Sequence, residues 1–317
     1  MDDFVNMLRA AADSARLRML ALCSEGELTV SEITEILSMS QPAISRHLKI
    51  LAEAGLLVRF REGAWAYYRI ADRGEVGDVA RWLVASCNAR DETRQRDLER
   101  LGEVRARRSL EAQAYFEANA QSWSLIRSLY VDEALVEERL AALAPANGVE
   151  DFLDIGVGGG RILELIAPRA ARAAGLDNSH AMLTMARARI ADAGLSHCSL
   201  RYGDLYAAPF EDERFDLITA HLVLHYLDSP TRALKEIARL LKPGGQAILA
   251  DFAPHNLVHL RDEQAHRRLG FATADMQRWS EEAGLRLAEE SRLQGDPLTV
   301  CIWRALKPEA DNIGAAA

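Results

Sequence analysis

Cysteine is scarce in this chain: Cys23, Cys87, Cys198 and Cys301 are its four, and no two sit at C-x-C or C-x-x-C spacing. That excludes a sequence-local disulfide or zinc framework and points to a reducing, cytoplasmic setting. A Cys23–Cys87 redox or metal pair across helices stays open beside the plainer reading of two buried, inert thiols. Long apolar runs are also missing. None approaches the ~20 residues of a membrane span, and Arg9, Arg16 and Arg18 interrupt the acidic-led N-terminus, so neither a membrane helix nor a signal peptide is expected. What is there is ordinary for a soluble globular protein: 317 residues, 49% hydrophobic and 27% charged, enough for two domains. A net charge of −9 argues against nucleic acid only if it is spread evenly, so charge has to be read locally.

The most informative stretch is Leu153-Asp154-Ile155-Gly156-Val157-Gly158-Gly159-Gly160. An apolar run, an acid and alternating glycines describe a parallel strand turning tightly into a helix, bare of side chains where a ligand approaches. A dinucleotide fingerprint needs a glycine three residues after Gly158, and that position is Arg161. Downstream, strands and helices alternate as in a doubly wound parallel sheet. One strand ends at Asp177-Asn178, a second leads to Gly203-Asp204-Leu205, a third is Phe215–Ala220 before His221, and Leu241-Lys242-Pro243-Gly244-Gly245 turns into a strand at 246–251. Leu298–Ala305 reads as a closing antiparallel strand.

The first 75 residues have a different grammar. Apolar positions at helical spacing fill 4–23, a short helix covers Val30–Leu37, and Ser38-Met39-Ser40 is a turn with Ser40 placed to cap a helix from Gln41 to Ala54. Gly55 stops that helix, and Leu56–Ile70 reads as a hairpin folded at Glu62-Gly63. The polar face of the second helix carries Gln41, Ser45, Arg46, His47 and Lys49, and the hairpin adds Arg59, Arg61 and Arg69. Helix, turn, polar-faced helix and basic wing are the layout of a winged helix-turn-helix, locally basic in an acidic protein. Arg46 suits guanine O6/N7 and Gln41 an adenine edge, with wing arginines on phosphate or minor groove.

Ser40 to Leu57, together with Arg61-Glu-Gly and Tyr67-Tyr68, resembles the ArsR/SmtB family of bacterial repressors. The resemblance implies a homodimer joined through first and last helices and a double-stranded operator with two-fold symmetry. It does not extend to the family's metal site: Thr29 and Ser31 stand where its sensors carry Cys-x-Cys, and 78–97 has no histidine, so no metal is expected. The second half, 113–305, resembles the class I S-adenosylmethionine (SAM) methyltransferases. Carried over by position, the resemblance implies that Asp154, Gly156 and Gly158 hold the methionine end, Asp177 the ribose, and Asp204 with Leu205 the adenine, with His221 beside the methyl donor. Gly160 and Asn178 are expected to join the cofactor-binding residues.

The acceptor is less legible. Pro-Pro-aromatic and Pro-Cys signatures of DNA methylases are missing, and the cysteines do not suit arsenite methylation. His221, His255 and His259 are the catalytic candidates, with His225 and His266 also available as bases. His255 and His259, four apart, would share a helix face and could bind metal with a third ligand, which the sequence does not offer.

The expected architecture is therefore an α+β winged helix-turn-helix at 1–78, a long dimerising and linking helix at 79–112, an α/β doubly wound, Rossmann-like domain at 113–306, and a disordered tail from Lys307. Three functions fit it. The first is a repressor tethered to a methyltransferase acting on a small molecule. The second is a non-catalytic regulator of methionine-cycle-type genes sensing SAM or S-adenosylhomocysteine, and the third, poorest in ligands, is a metal sensor. A membrane partner is not expected.

Overall fold

The computed structural model describes residues 2–62, 65–71, 74–87, 91–127, 132–260 and 266–309. The chain divides into two units, Met1–Leu110 and Glu111–Ala317.

The first unit runs α1 (Asp2–Ala11), α2 (Ser14–Ser24), β1 (Leu28–Thr29), α3 (Val30–Leu37), α4 (Gln41–Glu53), β2 (Leu57–Glu62), β3 (Trp65–Ile70), α5 (Gly74–Ser86) and the start of α6 (Glu92–Arg127). Local chemistry starts its helices. Asp13 accepts the Arg16 N–H at 3.0 Å to open α2. Thr29 and Glu32 exchange hydrogen bonds in a capping box that opens α3. Ser40 occupies the N-cap of α4, but its side chain makes no cap hydrogen bond; Pro42 in the first turn helps start the helix instead. Gly55, at φ +76°, lets the chain leave α4. Apolar stripes of the helices meet in one core, where Met19, Leu20, Ile33, Ile36, Ile44, Leu48 and Leu51 are all sealed from solvent. The three strands pair antiparallel in the order β1-β3-β2. The hairpin turn expected at Glu62-Gly63 falls partly on residues 63–64, outside the described residues.

Two expectations need correction here. The linking helix foreseen over 79–112 is two helices, because α5 ends at Ser86 and α6 begins at Glu92. Nor is the stretch a free-standing linker: Leu101 and Val104 are buried in the core of the first unit, Arg18 of α2 donates to Asp97 of α6, and Arg100 and Arg108 of α6 donate to α3.

The second unit holds α7 (Glu133–Leu143), β4 (Val149–Ile155), α8 (Arg161–Ile166), β5 (Ala170–Asp177), α9 (His180–Asp192), β6 (Cys198–Tyr202), β7 (Phe215–His221), α10 (Pro230–Leu240), β8 (Leu241–Phe252), α11 (Thr273–Glu282), β9 (Arg286–Leu293) and β10 (Val300–Leu306). The sheet order is β6-β5-β4-β7-β8-β10-β9, parallel from β6 to β8, with β10 antiparallel to both neighbours. Strand residues alternate between two cores: Phe152 faces one, Leu153 and Ile155 the other. Because β5 lies on one side of β4 and β7 on the other, connections leave in opposite directions, opening a crevice at the strands' carboxyl ends. β10 matches the expected closing antiparallel strand, and α11 and the edge strand β9 lie beyond that expectation. Lys307, where the sequence predicts the start of a disordered tail, instead donates its N–H to Gly245 O at 2.9 Å. Residues 310–317 lie outside the described residues.

Candidate functional site

The crevice at that switch point is a cleft of about 530 Å³. Gly156 and Gly158 floor it with φ of +64° and +50°. At Gly156 a Cβ would come within 2.2 Å of Val223 Cγ2, so only glycine leaves both the turn and the facing loop in place. Asp177, at the end of β5, joins the glycine loop: one carboxylate oxygen accepts the Gly158 N–H at 2.9 Å and the other the Ser179 N–H at 2.8 Å. Burial pushes its pKa up, against the lowering effect of the Gly158, Ser179 and Asn178 N–H groups. Asp204 caps the short turn after β6 by accepting the Tyr206 N–H at 2.9 Å, and Leu205 packs beside it. Asn178, Asp204, Leu205 and His221 all line the cleft.

Two of the motif residues expected to bind cofactor do not line it. Asp154 is buried beneath the loop, where it accepts the Thr219 hydroxyl at 2.7 Å; burial lifts its pKa to about 7. Gly160, at φ +83°, lies against Ala186, which a Cβ would meet at 3.1 Å, so its glycine serves helix–helix packing.

The histidines separate. His221 closes β7 at the cleft with its Nε2 shielded and, among the described residues, without a hydrogen-bond partner; burial lowers its pKa to about 4. His255 and His259 do not line the cleft. They do not share a helix face either: His255 lies in a loop, its Nδ1 accepting the Leu257 N–H at 3.2 Å, and helical backbone begins only at His259. Among the described residues no three His, Cys, Asp or Glu side chains are placed to hold a metal ion.

Sequence reasoning missed the facing wall: Glu133 and Met182, Met185, Leu222, Val223, Tyr226 and Leu227. Leu222 carries a left-handed φ of +55°, held by its N–H donated to Ala250 O at 2.8 Å. Behind the wall, His225 donates Nδ1–H to the fully buried Asp251 at 2.9 Å, and its backbone N–H reaches the other carboxylate oxygen at 3.1 Å. His225 also accepts the Arg267 and Arg268 N–H groups on its carbonyl, which anchors the 222–227 loop.

In the first unit, Gln41, Ser45, Arg46 and Lys49 stand exposed on one face of α4, with Ser40 at its start. Arg59 and Arg61 are exposed on β2. His47 is only half-exposed, turned far enough inward to bury Nδ1, and its charge would act on Asp13. Arg69, read as part of the basic wing, is buried.

With this geometry established, known proteins match each half. The family described as "Bacterial regulatory protein, arsR family" matches residues 13–58, and the one described as "Methyltransferase domain" matches residues 153–249. The arsenic resistance transcriptional regulator ArsR1 of Pseudomonas putida is 45% identical over 80 residues, 25% of this chain and 59% of that protein. The methyltransferase YcgJ of Bacillus subtilis is 27% identical over 146 residues, 44% of this chain and 58% of its own length. Its crystal structure superposes with a TM-score of 0.50 at 18% identity, covering 56% of this chain and all of that one. A ubiquinone biosynthesis O-methyltransferase of Pseudomonas aeruginosa is 29% identical over 163 residues, 46% of this chain and 69% of that protein. The chain thus spans about three-fifths of the first two relatives. It joins an ArsR-type winged-helix regulatory domain to a methyltransferase domain of the class I fold.

Proposed function

We propose that the protein represses transcription as a homodimer on an operator, and that its second unit binds SAM and methylates a small molecule. The observation that carries the cofactor reading is the Asp177 carboxylate tied to the Gly158 N–H at the floor of the cleft. A two-oxygen acceptor there suits the ribose diol, the bare glycine backbone suits the methionine end, and Asp204 with Leu205 suits adenine. SAM would supply the electrophilic methyl group. The chain's own part is orientation and proton handling. His221, kept neutral by burial, is the one expected base that lines the cleft, and a neutral imidazole beside a sulfonium avoids like-charge repulsion.

Operator binding rests on the exposed face of α4, with Arg46 and Gln41 toward base edges and Arg59 and Arg61 toward phosphate. Phe4 on α1 and Trp82 on α5 are 46% and 59% exposed. Large apolar side chains left open on two neighbouring helices suit a dimer face. A DNA target places the protein in the cytoplasm.

A sensor without turnover is favoured by the same histidines, since His255 and His259 stay off the cleft. Calorimetry with SAM and with S-adenosylhomocysteine tests the cofactor reading, and absence of binding by either rejects it. Anisotropy on DNA upstream of the protein's own coding sequence, with each ligand added, tests coupling. Methyl transfer to any acceptor in a small-molecule panel rejects the pure sensor.

A further inference from the structure

Residues 97–108 of α6 grip the helix-turn-helix from one side. Asp97, only 3% exposed, accepts both arms of the Arg18 guanidinium on α2 at 2.6 Å each. Arg108 clasps Glu32 with two bonds of 2.7 Å and donates to Glu27 O at 3.1 Å. Glu32 is also the capping-box partner of Thr29, so one carboxylate closes the start of α3 and takes the strap. At the other end of α3, Arg107 clasps Glu35 at 2.9 and 2.8 Å. Arg100 donates at 2.9 Å to Ile36 O and at 2.9 Å to Ser38 Oγ. Leu101 and Val104 lie between these arginines, in the core.

The position of Arg100 matters most. Ser38 is the joint between α3 and α4, with φ +51° and ψ +43°, a left-handed conformation that a serine adopts at a cost. Arg100 holds that joint by its hydroxyl and by the Ile36 carbonyl two residues before it. Exposed ion pairs hold little singly, but bidentate arginines on a shared apolar seam act together. We propose that α6 is a strap that sets the angle between α3 and the DNA-reading helix α4, so that operator affinity follows how firmly residues 97–108 are seated. The inference rests on reading α4 as the DNA-contacting helix. α6 runs on to Arg127, past the end of the first unit at Leu110, so a change in its seating has a covalent route from the second unit. A ligand moves this equilibrium only as far as it binds the seated and unseated forms differently.

Hydrogen–deuterium exchange on the full chain, read over residues 37–45, tests the strap without DNA. Arg100→Ala, Glu35→Arg and Arg107→Glu should each speed exchange by about three- to tenfold. The double variant Glu35→Arg/Arg107→Glu should restore protection toward wild type. Unchanged exchange in Arg100→Ala, or a double variant no better than its parents, overturns the proposal. If Arg100→Ala does not fold, the charge-swap series decides alone.

Anisotropy with a labelled duplex from upstream of the protein's own coding sequence adds a test of sign. Glu35→Gln removes a negative charge, and phosphate electrostatics alone would tighten binding. Loosening the strap should instead weaken it by about two- to fivefold. Tighter binding overturns the proposal. A wild-type chain that binds no DNA defeats the operator reading instead, and the exchange result still judges the strap.

Discussion

The Gly158 N–H points at Asp177 Oδ2 across 2.9 Å, so the acid at the end of β5 and the glycine loop after β4 form one rigid edge of the cleft. Each Asp177 oxygen accepts a backbone N–H, from Gly158 or from Ser179, and a carboxylate oxygen has a second lone pair to offer a ligand hydroxyl. Asp177→Asn keeps the shape, loses the charge and puts an NH2 group against one of those donors. SAM affinity should fall by about 1–3 kcal/mol, roughly five- to 150-fold, in a calorimetric titration. Unchanged affinity in a folded variant would move the ribose elsewhere.

Gly156 and Gly158 both take left-handed backbone, yet they should not tolerate alanine equally. Gly158 faces open space, its nearest neighbour for a Cβ being Gly156 O at 3.9 Å, so Gly158→Ala should cost only conformational strain, about 1–2 kcal/mol. Gly156→Ala adds a 2.2 Å approach to Val223 in the cleft wall. It should destabilise further and weaken SAM binding more than Gly158→Ala does, because Val223, itself part of the cleft wall, has to shift. Urea midpoints with calorimetry on both variants would show the order, and equal losses would contradict it.

The sequence disclosed what is local and concealed what is assembled. Gly156, Asp177 and Asp204 each sit a residue or two from a strand end, where backbone geometry alone places them, and their types announced it. Thr29 and Glu32 are three residues apart and close a capping box on their own. Arg100, in contrast, meets Ile36 across 64 residues, and a charge-dense helix reads identically whether its arginines face water or carboxylates. His255 and His259 have helical spacing, but helical backbone starts only at the second. β9, Arg-Leu-Ala-Glu-Glu-Ser-Arg-Leu, is a half-buried edge strand whose charges hide its alternation. Asp154 carries the motif's acid, yet the sheet seals it beneath the loop, since Thr219 on the adjacent strand already satisfies it.

Serine and threonine at the two helix starts of the helix-turn-helix should respond differently to alanine. Thr29→Ala removes a capping box and should cost about 1 kcal/mol of stability in a thermal melt. Ser40→Ala removes no cap bond and should leave the melt almost unchanged, while weakening operator binding if the hydroxyl meets phosphate. Arg46→Ala should lose about 1–3 kcal/mol and relax one base pair. Arg61→Ala should weaken all sequences alike and lower the salt slope by about one. Base-pair scans by anisotropy at two salt concentrations separate these behaviours, and a uniform loss in Arg46→Ala would make it a phosphate contact.

The second unit's stability should depend on pH through opposing slopes that cancel only in part, leaving a net gain as pH rises from 4 to 6.5. Burial lifts the Asp154 carboxyl to about 7 from the usual 3.8, so the folded state holds a proton that the unfolded chain releases. That contribution is complete below 3.8 and is lost as pH rises through 7. His266 has the reverse sign. Burial first, then the His225 ring, lowers it from 6.5 to about 4, so stability is complete above 6.5 and lost as pH falls toward 4. His221, also lowered to about 4, adds to the acid-side loss. Asp154→Asn removes the first slope and should leave a protein that gains stability from pH 4 to 7. His266→Phe, which keeps a ring against His225 and Phe252, removes part of the second and should flatten the curve. Melting temperatures across this range, moving by about 2–4 °C per kcal/mol of linked free energy, would show the two variants diverging in opposite directions. Parallel curves would mean that neither group changes its protonation on unfolding.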